Sequence, residues 1–236
     1  GYVTLAAPEA AAAALRAHLI EQVVVTYDEC DPAGAGEAIL DLANHCSAIA
    51  IGPGLSLSDA MGEIVRTVIA RTVLPLVIDA SALFHLAKHL DVLDGKRVVL
   101  TPHAGEFARL TGGGTLAPPD RLERARAFVA RREAVLLLKG RSTIVAERDR
   151  VALNPTGTSA LATAGTGDVL TGIIGTLLAQ GLAPFDAARA GAYWHGRAGQ
   201  LAAQLRPVGV IAGDLPDLLA AATRPRPAEA DIERIF

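Results

Sequence analysis

Asp59-Ala60-Met61-Gly62-Glu63-Ile64-Val65-Arg66-Thr67-Val68-Ile69-Ala70-Arg71, followed after a short break by Leu76-Val77-Ile78-Asp79, is the stretch from which the fold is read. Its first part places apolar residues at three- and four-residue spacing with Arg and Glu between them, the pattern of a helix with one buried face. Its second part is a short run of aliphatic residues without polar alternation, as expected of a strand buried on both faces of a parallel sheet. The same pair of patterns recurs along the chain. Val23-Val24-Val25, Ala48-Ile49-Ala50-Ile51, Val98-Val99-Leu100 and Val135-Leu136-Leu137-Leu138 read as further buried strands, and Asp120 to Arg132 as another crossover helix. Strands that alternate with amphipathic helices imply a mostly parallel central sheet in a three-layer α/β/α arrangement. Ile144-Val145 and Val151-Ala152-Leu153 flank the polar turn Glu147-Arg148-Asp149-Arg150, which predicts a hairpin added to the parallel core. Helices follow, and Arg224 to Ala228 reads as the start of a loose tail, so the domain is expected over 1–223 and the tail over 224–236.

A chain of 236 residues with no linker-like stretch in its middle is expected to form one domain. With five Phe, three Tyr and one Trp, its core must be aliphatic. The net charge of −3, with both signs scattered, excludes a broad basic surface for nucleic acid or anionic lipid and points to a small-molecule partner. Cys30 and Cys46 form no metal-binding or disulfide pattern and, like Tyr27, are read as structural. The longest uncharged stretch, Val169 to Phe185, is broken by Gly and Pro and is shorter than the ~20 apolar residues of a membrane span. No export signal opens the chain, and a cytoplasmic protein is expected. Gly1-Tyr2-Val3-Thr4-Leu5-Ala6 begins at once in strand-like sequence, so an upstream segment is expected to be missing.

The richest chemistry lies in Ala164-Gly165-Thr166-Gly167-Asp168, set directly before the apolar helix Val169 to Leu178. Glycines at a helix start let backbone N–H groups converge on an anion, and the helix dipole favours negative charge there. Asp168 in that first turn is placed to take a proton while the amides stabilise a transferring phosphoryl group. Alone, the string reads more readily as a tight turn with a helix-start acid. The turn Asn154-Pro155-Thr156-Gly157, which can bring the hairpin over the cradle, favours the phosphate reading.

Other strand ends agree. Lys139-Gly140-Arg141-Ser142-Thr143 follows the strand 135–138, where an ammonium and a Gly backbone can both approach phosphate. In Thr101-Pro102-His103-Ala104-Gly105-Glu106, His103 can face a substrate oxygen and Glu106 a hydrated Mg²⁺, or the pair can be a surface His and a helix-start acid. Gly52 and Gly54 in Ile51-Gly52-Pro53-Gly54-Leu55-Ser56 permit close approach of a ligand or simply make a turn. Asp79 also ends a strand and can join the same rim. Five such ends together weigh more than any one. His195, on a helix rich in Ala and Gly, reads as packing.

Taken together, Ile51 to Leu55, Val77 to Ala80, Leu100 to His103, Leu138 to Gly140 and Leu161 to Leu170 resemble the NAD(P)H-hydrate dehydratases of the ribokinase-like superfamily, in order and spacing. The resemblance implies repair of NADHX and NADPHX, the hydrated nicotinamide cofactors, with ADP (or ATP) and Mg²⁺, yielding AMP and phosphate when ADP is used. By position it implies Asp168 as base; Gly52, Gly54, His103 and Asp168 at the hydrate; Lys139, Gly140, Arg141, Ser142, Thr143, Gly165, Thr166 and Gly167 at the nucleotide; and Glu106 at the metal, through water. It also implies a homo-oligomer, a tetramer being favoured, into whose interface the Gly191 to Ala203 helix could pack as readily as within one chain.

The chain departs from the family at Ala104, Ser56, Ser81 and Thr158, where Pro, Gly, Asp and Asn are usual. The family's Gly-rich N-terminal segment has no counterpart before Gly1, which bears on whether this chain is active by itself. Two other readings are a kinase of a small hydroxylated metabolite and a nucleotide-binding relative without catalysis.

Overall fold

The computed structural model describes residues 1–113 and 120–224. Two parallel strands, β1 (Thr4–Pro8) and β2 (Val23–Tyr27), pair with each other across helix α1 (Glu9–His18). Helix α2 (Pro32–Ala43) then leads to a six-stranded sheet. Its strands lie in chain order: β3 (Ile49–Ile51), β4 (Leu76–Ile78), β5 (Val98–Leu100), β6 (Val135–Leu138), β7 (Ile144–Ala146) and β8 (Val151–Leu153). The first four are parallel, and β6-β7-β8 add antiparallel, as the hairpin pattern predicts.

The alternation of side chains along a strand explains the three layers. Leu76, Ile78, Val98, Leu100, Leu136 and Leu138 face one core, shared with α3 (Asp59–Arg71), α4 (Ala80–Leu86), α5 (Ala104–Leu110) and α6 (Arg121–Val129). Val77, Val99, Val135 and Leu137 face the other, beneath α7 (Thr166–Ala179) and α8 (Pro184–Leu205). Polar residues have no place on either face of these strands, which is why their sequences are unbroken apolar runs. Each such side chain stabilises the fold by roughly 1.5–3 kcal/mol when fully buried.

Three expectations need correction. Val23-Val24-Val25 is not a doubly buried strand of the main sheet: β2 pairs only with β1 among the described residues, and Val23 and Val25 are 50% and 37% exposed. Likewise β3 is an edge strand, with Ala50 exposed and Ile49 and Ile51 half-buried. The helix expected from Asp120 to Arg132 is shorter, Arg121–Val129. Of the expected tail only Arg224 lies within the described residues.

The small residues of α8 are accounted for inside the molecule. A Cβ added at Gly191 would lie 2.7 Å from Ile174, one at Gly199 2.5 Å from Leu161, and one at Gly196 would overlap the Thr156 side chain and sit 2.8 Å from its carbonyl carbon. In an open helix, Gly→Ala stabilises by about 1 kcal/mol. At Gly196 the sign should reverse: Gly196→Ala is expected to destabilise by about 1–3 kcal/mol, read as a lower midpoint in thermal unfolding.

Candidate active site

Parallel registry brings the polar strand ends to one edge of the sheet. Ile51 pairs with Ile78 and Ile78 with Leu100, so Gly52, Asp79 and Thr101 emerge side by side. Lys139 joins them at the end of β6, where its N–H donates to the Pro102 carbonyl at 2.9 Å. Ligands gather at such carboxyl edges because neighbouring loops diverge there and leave a crevice. Helix α7 enters from the opposite face with its N-terminus at this edge.

Gly165 caps α7 with φ of 85°, a left-handed conformation that Gly adopts without steric penalty. The N–H groups of Asp168 and Val169 donate to the Gly165 carbonyl, and that of Thr166 to Thr163. Among the described residues no protein acceptor takes the Gly167 N–H, which leaves it for a ligand. The Thr166 hydroxyl turns inward, donating to the Leu161 and Thr163 carbonyls at 2.7 and 2.9 Å, so its side chain, like its N–H, is turned to the protein rather than to an anion.

Lys139 stands against this turn. A methyl group on Gly167 would lie 3.5 Å from its Nζ. The ammonium donates to Asp79 Oδ1 at 2.8 Å and lies 3.9 Å from Glu106 Oε2. Asp168 is exposed at the rim. Its carboxyl is pushed above the ordinary carboxylate range by partial desolvation first and by the Asp79 charge second, while Lys139 pulls the other way. A raised carboxyl pKa beside a phosphate-sized cradle suits a proton acceptor.

The remaining candidates are distributed around this centre. Gly140 to Ser142 are exposed and Thr143 half-buried as the chain turns into β7. Gly54 has φ of 74° and nothing within 4 Å of where a Cβ would be, an open backbone surface, whereas Gly52 is pressed against the Asp79 carbonyl. His103 caps α5: its Nδ1 accepts from the N–H groups of Gly105 and Glu106 at 3.0 and 3.3 Å, which leaves the proton of the neutral ring on Nε2. Glu106 completes the capping box through the His103 N–H at 2.8 Å. The helix-start reading of this pair is thus realised in full, with the imidazole still largely exposed.

Three contributors escaped the sequence. Thr171, one turn beyond the cradle in an apolar helix, donates to Asp79 Oδ2 at 2.9 Å. Its polarity amid Leu, Ile and Val was the available signal. Arg121, at the start of α6, donates to the Leu138 and Lys139 carbonyls at 3.2 and 3.0 Å and fixes the end of β6. His195 is buried as expected, but its Nε2–H donates to the Thr166 carbonyl at 2.8 Å, so its packing role extends to the cradle.

Burial, and secondarily the Lys139 charge, lower the His195 pKa below 6.5, against the pull of the Thr166 hydrogen bond. The unfolded chain therefore binds this proton more readily than the folded one. The stability contributed by the neutral ring is complete above about pH 6.5 and is lost as the pH falls from there through the folded pKa. Thermal midpoints should decline from pH 7 to 5.5, and less steeply in His195→Gln, which keeps a donor but cannot titrate.

No group of three or more His, Cys, Asp or Glu side chains that could hold a metal occurs among the described residues, and no helix there is long and apolar enough to cross a membrane. The site fits Mg²⁺ only as an ion carried largely by phosphate oxygens rather than by a cage of protein ligands.

Known proteins share this fold. A solved structure of the ADP/ATP-dependent NAD(P)H-hydrate dehydratase from Bacillus subtilis, co-crystallized with ATP/Mg²⁺, superposes with a TM-score of 0.74 at 28% identity, covering 94% of this chain and 78% of that one. The bifunctional NAD(P)H-hydrate repair enzymes of Moorella thermoacetica and Salinibacter ruber are 44% and 40% identical, each over 93% of this chain. The chain spans 43% and 42% of their respective lengths. The sequence profile described as NAD(P)H-hydrate dehydratase matches residues 1–221, and the chain belongs to the NAD(P)H-hydrate dehydratase family.

Proposed function

We propose that this chain dehydrates NADHX and NADPHX, the S-forms, to NADH and NADPH, consuming ADP or ATP. The observation that carries the reading is the meeting, at one sheet edge, of a rim carboxylate with raised pKa, a free helix-start N–H and an ammonium. Beside them lie an open Gly54 backbone and an exposed imidazole.

In this reading the Lys139 to Thr143 turn and the Gly165 and Gly167 amides hold the nucleotide phosphates. The hydrate enters along Gly52 and Gly54, and His103 Nε2–H donates to one of its oxygens. Asp168 takes the hydroxyl proton as that oxygen bonds to the terminal phosphorus and the bond to the departing nucleotide breaks. Hydroxide is a poor leaving group and phosphate a good one. The ring nitrogen lone pair then expels phosphate, and loss of a proton from the adjacent ring carbon restores the dihydropyridine. Mg²⁺ would supply further charge neutralisation at the phosphates, near Glu106.

The test is regain of absorbance in the reduced-nicotinamide band when the protein meets NADHX, Mg²⁺ and ADP, with ATP and nucleotide-free controls. Nucleotide-dependent recovery with release of phosphate supports the reading. A stable phosphorylated product would identify a kinase, and nucleotide binding without recovery a non-catalytic relative.

A further inference from the structure

Asp79 is 2% exposed, yet it is a carboxylate at the edge of a site built to hold anions. A buried charge is retained against its desolvation cost only when partners compensate it. Here they do: Lys139 donates to Oδ1 at 2.8 Å and Thr171 to Oδ2 at 2.9 Å.

The main chain around it is arranged to the same end. The Asp79 N–H donates to the Ile51 carbonyl at 3.0 Å, and its own carbonyl accepts from Ala82 at 3.1 Å while resting on Gly52. Ala80, the next residue, has φ of 47°, the one non-glycine residue with positive φ among the described residues. Strained backbone persists where surrounding structure over-determines it, and such residues cluster at functional sites.

The Lys139 ammonium has a second carboxylate within reach, Glu106 at 3.9 Å on α5. Its place beside the first turn of α7 therefore depends on which carboxylate holds it. We infer that Asp79 is a positioning residue: anchored to α7 through Thr171, it holds the Lys139 ammonium at the Gly167 turn and away from Glu106. The kinetic consequence rests on the dehydratase reading; the placement of the ammonium does not.

In a crystal structure of Asp79→Asn the Lys139 Nζ should leave the Gly167 turn and approach Glu106. An ammonium still at that turn would overturn the inference whatever the enzyme does. In steady-state assays Asp79→Asn should lower kcat/KM for ADP by about tenfold or more, because the ammonium it misplaces is one that holds the nucleotide phosphates. Because Asp79 acts through Lys139, Asp79→Asn/Lys139→Met should be no slower than Lys139→Met alone. Losses that multiply in the double variant would show a separate role and overturn it. Should Asp79→Asn fail to fold, Thr171→Val keeps the charge and removes the anchor, and should lower kcat/KM for ADP; an unaltered kcat/KM would count against the inference. A wild-type chain without NADHX turnover would refute the proposed function while leaving the crystallographic result to decide this one.

Discussion

Asp168→Asn is expected to lower turnover by about 10²–10⁴-fold while ADP binding, followed by calorimetry, stays within about threefold. The amide matches the carboxylate in size and keeps an oxygen for hydrogen bonding, but it cannot take the hydroxyl proton. Nothing in the first turn of α7 uses the Asp168 side chain structurally: the Gly165 and Thr163 carbonyls are served by backbone groups, and Lys139 is held by Asp79. The variant should also be slightly more stable than wild type. A carboxyl with raised pKa is one whose ionised form the fold disfavours, here through desolvation and the Asp79 charge, so its ionisation costs stability at neutral pH. That cost shrinks as the pH falls through the folded pKa. Because Asp168 is exposed, the gain will be small, but its sign matters: less activity with equal or higher thermal midpoint separates chemistry from folding. Parallel loss of ADP binding and turnover would remove Asp168 from the role of base.

The same carboxylate illustrates what could be read in advance. The glycines before α7 and the acid after them are local, contiguous signals, as are the apolar runs of β4, β5 and β6, whose alternate residues fill two cores. Val23-Val24-Val25 carries the same signal but lies in a two-stranded sheet with Val23 and Val25 exposed, because composition reports strand propensity and not the number of neighbours a strand will have. Asp79 could be placed on the rim from its position after β4. Its burial could not, since its partners lie 60 and 92 residues away and enter from β6 and α7. His195 was legible as packing, but the atom it packs against, the Thr166 carbonyl, depends on how α8 crosses α7.

Gly52→Ala is the substitution expected to disturb the site most from a distance. Gly52 has φ of 132°, where L side chains are rarely found, and a Cβ there would overlap the Asp79 carbonyl oxygen and lie 2.7 Å from its carbon and 3.1 Å from Ala82 Cβ. Neither neighbour can yield cheaply. The first is backbone in the β4-to-α4 turn, already carrying the strained Ala80, and the second belongs to the fully buried Ala82 of α4. The turn must therefore move as a unit, and Asp79 with it, drawing on Lys139 and Thr171. Overpacking of this kind costs typically 1–3 kcal/mol, and forcing Ala to positive φ adds to it, so a loss of about 2–4 kcal/mol is expected in denaturant unfolding. Activity should fall by more than that destabilisation alone would cause, because the ammonium at the Gly167 turn shifts with its partner. Gly54→Ala is the matched control: φ there is also positive, at 74°, but no atom lies within 4 Å of the added methyl. It should cost only about 1 kcal/mol of stability. A larger effect on the KM for NADHX than for ADP in Gly54→Ala would mark its open backbone as hydrate surface, whereas Gly52→Ala should depress kcat/KM for ADP. If the two variants behaved alike in both stability and kinetics, the contact between Gly52 and the Asp79 carbonyl would not be what supports the site.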